Sequence, residues 1–513
     1  VRMMPPPVPS RRGAFPPPIG WIPATIALLV ALILSAFAFV PQYVNRPVEI
    51  VGAGTGAGAG GTAGTQGTAA QTITTNGTAG SAGSGGGTAA TSRIACAAGR
   101  NGGGGDPGVS ATELHVASTI VTSGIGSGFL GEAQSGIQAA INEANNSGGV
   151  CGRALRLDTI NTGWDRTQGN TDISNWIGAG GTFALVGEPD SEGLAGAIEG
   201  QTIDRAGIPV VGTDGMLADQ YNDPWVWPVA ASTVTNVHVI AQYAVNTLHA
   251  QSFGIVYDTF YKFGAEGALA FDAEIHRLTG SHIQGYDQGK SCTVGTRFCG
   301  INSNQGSFQD SVSAFNSGCN PRCDVVVMLL EPTPMATWMK EEKDAKDSHG
   351  SPVWYQHLFG GEPLFDDKFG QTCAGECGGM TVWTGYHAAI QPFDAEPAVY
   401  TYTASLKSAC PTCDAHNEFT EGAYMGTRLF IEACKRVQAK GLRLTRANLR
   451  DELNTDSFDF GLASGPLHFG SSLPRQANRG MAAFSANAIG SFNGWNYLTT
   501  GFIPDPAPGQ DLR

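Results

Sequence analysis

The sequence predicts an α/β fold of two doubly wound parallel-sheet lobes, because short apolar runs alternate with amphipathic segments along most of the chain. The clearest example lies at residues 182–214, where two apolar runs, Phe183 to Val186 and Ile208 to Val211, flank a helical segment. The alternation resumes after residue 252, following an interruption around residues 225–236. Two similar halves of this kind indicate two lobes joined by a hinge of several strands.

The individual elements follow from the same pattern. The first half predicts a strand over 113–120, an amphipathic helix over 131–145 that ends in a Gly-rich stop, and a strand over 153–160. The second half predicts strands over 252–258, 324–330 and 354–359 and helices over 264–278, 307–316 and 333–344. In parallel sheets, ligands lie beyond the carboxyl ends of the strands. The loop from Gly187 to Glu192 is therefore expected at a small-molecule site.

Residues 19–40 form an uncharged apolar run, which predicts an N-terminal transmembrane anchor. About 20 apolar residues span a bilayer as a helix. The arginines within the Pro-rich tail over 1–18 place that tail in the cytoplasm, so the bulk of the chain is expected on the extracytoplasmic side of the cell membrane. A cleaved signal peptide is the alternative, because Ala36-Phe37-Ala38 resembles a cleavage site, although the run exceeds the usual apolar length.

A flexible linker over 41–95 is expected next. Its segment from Val51 to Ser92 has no charged residue and consists almost wholly of Gly, Ala, Thr and Ser, which cannot bury a core. All but one of the 44 Asp and Glu residues and all but four of the 30 Lys and Arg residues follow this segment. The outer part therefore has 43 acidic against 26 basic residues, a formal charge of −17, which argues against nucleic acid as a partner.

Ten of the 11 cysteines are disulfide candidates, because an oxidising location is expected and eight of them fall into four close pairs. Cys96 and Cys151 remain for a longer bridge, and Cys434 lies in a helical pattern that predicts a buried free thiol. One alternative is a four-thiolate zinc site made by Cys373, Cys377, Cys410 and Cys413, and another is a redox dithiol made by Cys410 and Cys413. The candidates are Cys96, Cys151, Cys292, Cys299, Cys319, Cys323, Cys373, Cys377, Cys410 and Cys413.

Short motifs between Leu114 and about Tyr497 occur in an order that points to a known family. They are Ser123-Gly124 with Phe129, Asn145-Asn146-Ser147-Gly148-Gly149, Leu185-Val186-Gly187 with Ser191, Ala206-Gly207-Ile208-Pro209-Val210, Ile255-Val256-Tyr257-Asp258 with Phe263-Gly264, Gly360-Gly361-Glu362 and Gly465-Pro466-Leu467-His468-Phe469. In these motifs the chain resembles the type I periplasmic binding-protein fold, close to the branched-chain amino-acid-binding proteins of ABC importers. The resemblance implies a small ligand held between two lobes.

The resemblance also implies site residues. In the resembled proteins the ligand carboxylate meets hydroxyl and backbone N–H groups of the first lobe, and its ammonium meets an acidic residue of the second. Matched by position, Ser191 falls on the hydroxyl loop, Phe129 on an aromatic lid and Glu362 on the ammonium-binding acid. The alternatives are local capping or pairing by Glu362 and ordinary lobe-surface or core positions for Phe129 and Phe263. The other ligand-binding candidates are Asp190, Thr213, Asp214, Tyr261, Phe263 and Glu331, the last at a place usually held by an aromatic.

The hydroxyl loop departs from the family pattern, which usually has consecutive Ser and Thr, whereas this chain has Asp190-Ser191-Glu192. Two added carboxylates would oppose a ligand carboxylate. A neutral or cationic ligand (an amide, amine or polyol) is therefore as well supported by the sequence as a branched-chain amino acid. Glu188, Asp190 and Glu192 share this loop and could be considered for catalysis. We expect them instead to be solvated surface acids.

The resemblance assigns lobe 1 to residues 96–230 and 383–460, and lobe 2 to 231–382 with a return and C-terminal tail over 461–513. We expect an extracytoplasmic solute-binding protein with ABC permease subunits and the membrane as partners. A ligand-sensing ectodomain that signals through a partner protein is the alternative. The sequence has no nucleophile elbow, HExxH motif or phosphate-binding loop and its 10 His form no cluster, so no enzyme activity, cofactor or metal site is expected.

Overall fold

The computed structural model describes residues 94–286, 291–349, 354–488 and 491–512. The predicted tail and anchor, and the predicted linker as far as residue 93, lie outside the described residues. Within the described ranges, no helix is long and apolar enough to cross a membrane. The anchor over residues 19–40 therefore stays a prediction.

The first lobe is built on a sheet of five parallel strands. These are β1 (Glu113–Ile120), β2 (Ala154–Asn161), β3 (Ala184–Val186), β4 (Val210–Thr213) and β5 (Val226–Pro228). Their order is β2-β1-β3-β4-β5. All residues of β3 and β4 are buried, as expected for strands covered by helices on both faces. The four strands predicted in this half are confirmed to within two residues at each end.

Short helices follow these strands, and acidic side chains begin two of them. They are α1 (Ser127–Leu130), α2 (Ala133–Asn146), α3 (Arg166–Ala179), α4 (Ser191–Glu199), α5 (Thr202–Ala206) and α6 (Ala218–Asn222). Asp165 accepts from the N–H of Gln168 at 2.8 Å at the start of α3, and Asp190 accepts from the N–H of Gly193 at 2.9 Å at the start of α4. These caps satisfy N–H groups that have no partner within the helix.

The second lobe repeats this arrangement. Its parallel strands are β6 (Phe253–Asp258), β7 (Phe298–Ile301), β8 (Cys323–Leu329), β9 (Tyr355–Gly360) and β10 (Thr381–Thr384), in the order β7-β6-β8-β9-β10. Its helices are α7 (Thr233–Gln242) with a π-helical turn (Tyr243–Thr247), α8 (Lys262–Thr279), α9 (Gln309–Gly318), α10 (Pro332–His349) and α11 (Asp367–Cys373), with 3-10 turns at Glu362–Leu364 and Ala374–Cys377. The predicted strands and helices of this half correspond to β6, β8, β9 and α8 to α10.

The chain then returns to the first lobe. A 3-10 turn (Phe393–Ala395) leads to α12 (Pro397–Ala409), α13 (Glu418–Ala439), α14 (Arg446–Thr455) and the two-stranded pair β11 (Ser457–Phe458) and β12 (Leu467–His468). Helix α13 packs against α2 and β4. Its first turn is thereby brought to the carboxyl ends of the first sheet.

The last strands make the second sheet mixed rather than wholly parallel, which corrects the prediction. They are β13 (Gly480–Ala488), β14 (Phe492–Tyr497) and β15 (Ile503–Pro504). Strand β13 pairs antiparallel with β10, and both β14 and β15 pair antiparallel with β13. The connection from β13 to β14 is too short for a parallel neighbour, which needs a crossover of a dozen or more residues, whereas the direction of β13 beside β10 follows from where the chain re-enters the sheet after the first lobe.

One side chain joins the segments that connect the lobes. The chain crosses between the two sheets after β5, after β10 and before β13. Asn478, in the third crossing, donates from Nδ2 to the carbonyl oxygens of Val229 at 3.2 Å and Gly385 at 3.0 Å, in the first and second crossings. Its Oδ1 accepts from the Ser464 hydroxyl at 2.6 Å. The hinge therefore has several strands, as the sequence predicts.

The cysteines form five disulfides, in the pairs that their spacing predicts. These are Cys96–Cys151, Cys292–Cys299, Cys319–Cys323, Cys373–Cys377 and Cys410–Cys413. The four sulfurs considered for a zinc site are thus held in two separate bridges. Cys434 is buried and free in α13, as expected.

Helix α13 approaches β4 so closely that two glycines touch. A Cβ added at Gly212, whose φ is +84°, would overlap the Cα of Gly426, and a Cβ at Gly426 would overlap Gly212 in turn. This backbone contact fixes the depth at which α13 sits, and so the position of its first turn.

We expect Gly212→Ala to lower the free energy of unfolding by ~3 kcal/mol, because the new methyl group both overlaps α13 and strains a left-handed backbone. Urea unfolding of the full chain measures this. Gly178→Ala is the matched control, since a Cβ at Gly178 in α3 meets nothing within 4 Å; it should leave stability unchanged or raise it by up to ~1 kcal/mol. Equal stability of the two variants would contradict the contact.

Candidate ligand-binding site

A small cavity lies where the carboxyl ends of β3 and β4 meet the first turn of α13 and two of the crossing segments. Its volume is about 10 Å³, roughly the space of one water-sized group. Its walls include three carboxylates and two aromatic rings, and none of the lining residues is Lys, Arg or His. The lining residues are Gly187, Glu188, Pro189, Gly212, Asp214, Ala230, Tyr386, Glu418, Phe419, Gly422 and Ala423.

Asp214 is the predicted candidate that faces this cavity. It is 8% exposed and follows β4 directly. Its Oδ1 accepts from Nε2 of Gln220 at 2.7 Å and from the N–H of Met216 at 3.4 Å. Its Oδ2 has no hydrogen-bond partner among the described residues. Burial raises the pKa of Asp214 to about 7.

Two further acids share the cavity wall. Glu188 accepts hydrogen bonds from the N–H of Thr119 at 3.1 Å and from the Thr119 hydroxyl. Glu418, in the first turn of α13, is 5% exposed. Burial raises the pKa of Glu188 well above its usual range, and the charge of Asp190 adds to the effect. Burial also raises the pKa of Glu418 well above its usual range, and the charge of Glu362 adds to the effect.

Glu362 reaches this group of acids from the second lobe. It begins the 3-10 turn after β9 and is 4% exposed, and neither of its oxygens has a hydrogen-bond partner in the described part of the chain. Asn236 and Thr233 face the carboxylate and oppose the rise of its pKa. Burial nevertheless raises the pKa of Glu362 to about 7.

An aromatic stack joins the lobes beside the acids. Tyr261, just before α8 of the second lobe, stacks on Trp164 of the first lobe with ring centroids 4.0 Å apart. Phe263 lies 6.1 Å from the same indole, and Phe129 meets it edge-on at 5.4 Å. The three predicted aromatic candidates are thus brought together around a residue that was not predicted.

Trp164 also hydrogen-bonds to the hydroxyl of Ser191, which was predicted to hold a ligand carboxylate. Its Nε1 donates to Oγ of Ser191 at 3.0 Å, and its side chain is 2% exposed. Its backbone φ is 67°, which is uncommon for a bulky residue, and its N–H donates to Thr162 Oγ1 at 3.2 Å. Ser191 is therefore hydrogen-bonded within the first lobe. No pattern in the sequence after β2 indicates the left-handed backbone conformation of Trp164.

The acids of the loop are buried, which corrects the expectation that they are solvated. Glu188, Asp190 and Glu192 are 1%, 0% and 3% exposed. Besides capping α4, Asp190 accepts from the Thr162 hydroxyl at 2.6 Å. Glu192 pairs with Nε of Arg166 at 2.6 Å and accepts from the N–H of Lys262 at 2.9 Å. The partners of these acids lie on other segments, so sequence proximity alone could not indicate the burial.

The remaining two candidates lie apart from the cavity lining. Thr213 donates its hydroxyl to Oε1 of Gln220, which orients the amide that holds Asp214. Glu331 follows β8, is 0% exposed, and has no hydrogen-bond partner for either oxygen among the described residues. Burial and the nearby charge of Asp258 raise the pKa of Glu331 well above its usual range.

We expect Glu362→Gln to weaken the pH dependence of stability in the ligand-free chain. The pKa of Glu362 is about 7 when folded and near 4.5 when unfolded, so its stabilising protonation is fully present below pH 4.5 and is lost as pH rises through 7. Between pH 5.5 and 8 the wild type should lose ~2 kcal/mol relative to the variant. Urea unfolding at both pH values measures this. Asp451→Asn, at a side chain that is 67% exposed, is the control; a parallel loss in wild type and Glu362→Gln would contradict the account.

The comparisons with known proteins agree with this architecture. A family model described as periplasmic binding protein matches residues 113–491. No curated protein matches the chain. Similar solved structures include a fatty acid ABC transporter substrate-binding protein from Thermomonospora curvata, with TM-score 0.62, 14% identity, and coverage of 80% of this chain and 96% of that one.

Two other similar structures were solved with bound ligands. One is a branched-chain amino acid transporter substrate-binding protein from Streptococcus pneumoniae in complex with isoleucine, with TM-score 0.59, 13% identity, and coverage of 75% and 99% of the two chains. The other is an ABC transporter solute-binding protein from R. palustris in complex with benzoate, with TM-score 0.60, 15% identity, and coverage of 77% and 99%. At these identities the likeness shows the fold. The family match, which covers most of the chain, shows that the chain belongs to the periplasmic binding protein family, whose members bind solutes and are not enzymes.

Proposed function

We propose that the chain is the extracytoplasmic solute-binding protein of an ABC importer and holds a small polar solute, an amino acid or an amide- or amine-like compound, between its lobes. The observation that carries the proposal is the set of unpartnered buried carboxylate oxygens, on Asp214 of the first lobe and Glu362 of the second. Buried polar atoms are almost always hydrogen-bonded, so atoms that are not point to an absent partner. The structures bound to isoleucine and benzoate support a small-molecule partner.

The two lobes provide a motion for such binding. The stack of Tyr261 on Trp164 and the contact of Glu192 with Lys262 both lie between the lobes. A solute can enter when these contacts separate, and the three crossing segments held by Asn478 supply the axis. Closure then removes the solute and the carboxylates from water together.

The predicted N-terminal segments fit this role. A helix over residues 19–40 would anchor the chain, and a linker over 41–95 would let the binding lobes reach a permease. The uncharged segment from Val51 to Ser92 has a root-mean-square reach of roughly 35 Å, if it behaves as a Gly-rich coil. Tethering raises the effective concentration of the binder at the permease subunits, its proposed partners.

We expect at least one compound from a panel of amino acids, carboxamides, amines, polyols and small carboxylates to bind the purified full chain. Binding should raise the thermal midpoint by several degrees, because a solute that binds the folded chain stabilises it. Tyr386→Ala, at the cavity wall, should weaken that binding at least tenfold. Tyr400→Ala, at a ring that is 70% exposed, is the matched control. Failure of the whole panel to bind would contradict the proposal.

We expect membrane fractionation of cells that express the full chain to recover it with the membranes, with its N-terminus intact. Deleting residues 19–40 should move it to the soluble fraction, whereas deleting residues 51–92 of the linker should not. Recovery of the wild type in the soluble fraction, with a new N-terminus after Ala38, would show a cleaved signal peptide instead.

A further inference from the structure

We propose that the interlobe site binds a small organic cation that has a primary ammonium group and no carboxylate, namely an aliphatic amine or diamine rather than an amino acid. The inference rests on the proposed function, since it assumes that a solute binds between the lobes. It goes further by assigning the chemical class of that solute.

The place implied for a ligand carboxylate is already filled by groups of the protein. Oγ of Ser191 accepts from the indole of Trp164 at 3.0 Å and makes its own contact with Sδ of Met216 at 3.7 Å. The N–H of Gly193, at the start of the same helix, donates to Asp190 at 2.9 Å. The Ser191 hydroxyl and the Gly193 N–H, the two donors of the hydroxyl loop that could hold a carboxylate, are therefore used by the protein itself.

The acidic side chains around the cavity favour a cation over an anion. Glu188, Asp214 and Glu418 line it, and Glu362 lies close enough to raise the pKa of Glu418. All four side chains are at least nine-tenths buried. None of the lining residues is a cation, so a ligand carboxylate would be a further buried like charge. An ammonium group would instead be the missing counter-ion.

Unfilled hydrogen bonds favour an ammonium group independently of the charge. Oδ2 of Asp214, on the cavity wall, and both oxygens of Glu362 have no hydrogen-bond partner within the described part of the chain, although Asn236 and Thr233 face the Glu362 carboxylate. An ammonium group offers three N–H donors and no acceptor. It can satisfy these oxygens without bringing an acceptor of its own.

The cavity walls match an ammonium in size and chemistry. The volume of about 10 Å³ accepts one water-sized group, which is the size of an ammonium head. The rings of Tyr386 and Phe419 line the same space. Aromatic faces attract a cation and exclude water around it. The alkyl part of the solute then requires the lobes to part further than they do in this structure, because the cavity accepts only the ammonium head.

Calorimetry on the full chain with four compounds tests this inference separately from the proposed function. They are leucine, 3-methylbutylamine (leucine without its carboxylate), 4-methylpentanoate (the same carbon chain without the ammonium) and 1,4-diaminobutane. We expect 3-methylbutylamine or 1,4-diaminobutane to bind at least 100-fold more tightly than leucine, and 4-methylpentanoate not to bind. Tighter binding of leucine or 4-methylpentanoate would overturn the inference while leaving a solute-binding protein. Silence of all four probes would overturn the inference, whereas the proposed function falls only if the broader panel is silent as well.

Two neutral variants test the assigned residues. Asp214→Asn and Glu418→Gln remove one charge each without changing shape, and each should weaken amine binding at least tenfold. Asp451→Asn, on the exposed face of α14, is the matched control. The thermal midpoint of each variant shows that it folds. Unchanged amine affinity in both variants would overturn the inference.

A measurement on the wild type does not depend on any variant. Because Asp214 and Glu362 have pKa values near 7, a bound cation should displace protons from them. Amine affinity should therefore fall at least tenfold from pH 8 to pH 6, and calorimetry in buffers of different ionisation enthalpy should show proton release. Affinity that is independent of pH, with no proton release, would overturn the inference.

Discussion

The structure depends on a group of carboxylates that are buried beside one small cavity without a cationic side chain in its wall. Glu188, Asp214 and Glu418 line the cavity, and Glu362 approaches from the other lobe. An ionised carboxylate away from water costs several kcal/mol unless it is paired, so such a group either keeps its proton or acquires a counter-ion. Other acids of the same region do have partners, as Glu192 has in Arg166. In the proposed function, a ligand supplies the partner that these unpaired acids lack.

The fold makes this arrangement depend on lobe closure. Asp214 follows β4, and Glu418 is positioned by α13, whose depth is set where Gly426 touches Gly212. Glu362 belongs to the second lobe, so it joins the other acids only when the lobes meet. A cation that interacts with acids of both lobes would favour the closed arrangement, which is the differential interaction that a conformational change requires.

Much of the fold could be predicted from the sequence, because its signals are local. Apolar runs place β1 to β4 within two residues, and the close cysteine pairs identify four of the five disulfides. The antiparallel strands β13 to β15 carry no comparable signal, since pairing direction depends on where the chain re-enters the sheet. The carboxyl-edge rule and the family resemblance identified Asp214 and Glu362 as candidates.

The residues that the sequence did not reveal act through distant contacts. Glu418 and Tyr386 reach the cavity from segments about 200 residues after Glu188 along the chain. Trp164 reaches Ser191 through an uncommon backbone conformation that no local pattern encodes. The burial of Asp190 likewise depends on a hydroxyl from the segment after β2. Such contacts follow from the packed fold and not from spacing.

The most direct measurement of the central claim is difference infrared spectroscopy of the full chain at pH 7, before and after saturation with 3-methylbutylamine. The ligand-free protein should show the carbonyl stretch of protonated, buried carboxylic acids, and the amine should convert part of that band into the carboxylate stretch. Asp214→Asn should reduce the change. A ligand-free protein without protonated carboxyl groups at neutral pH, or a band that the amine leaves unaltered, would contradict the account.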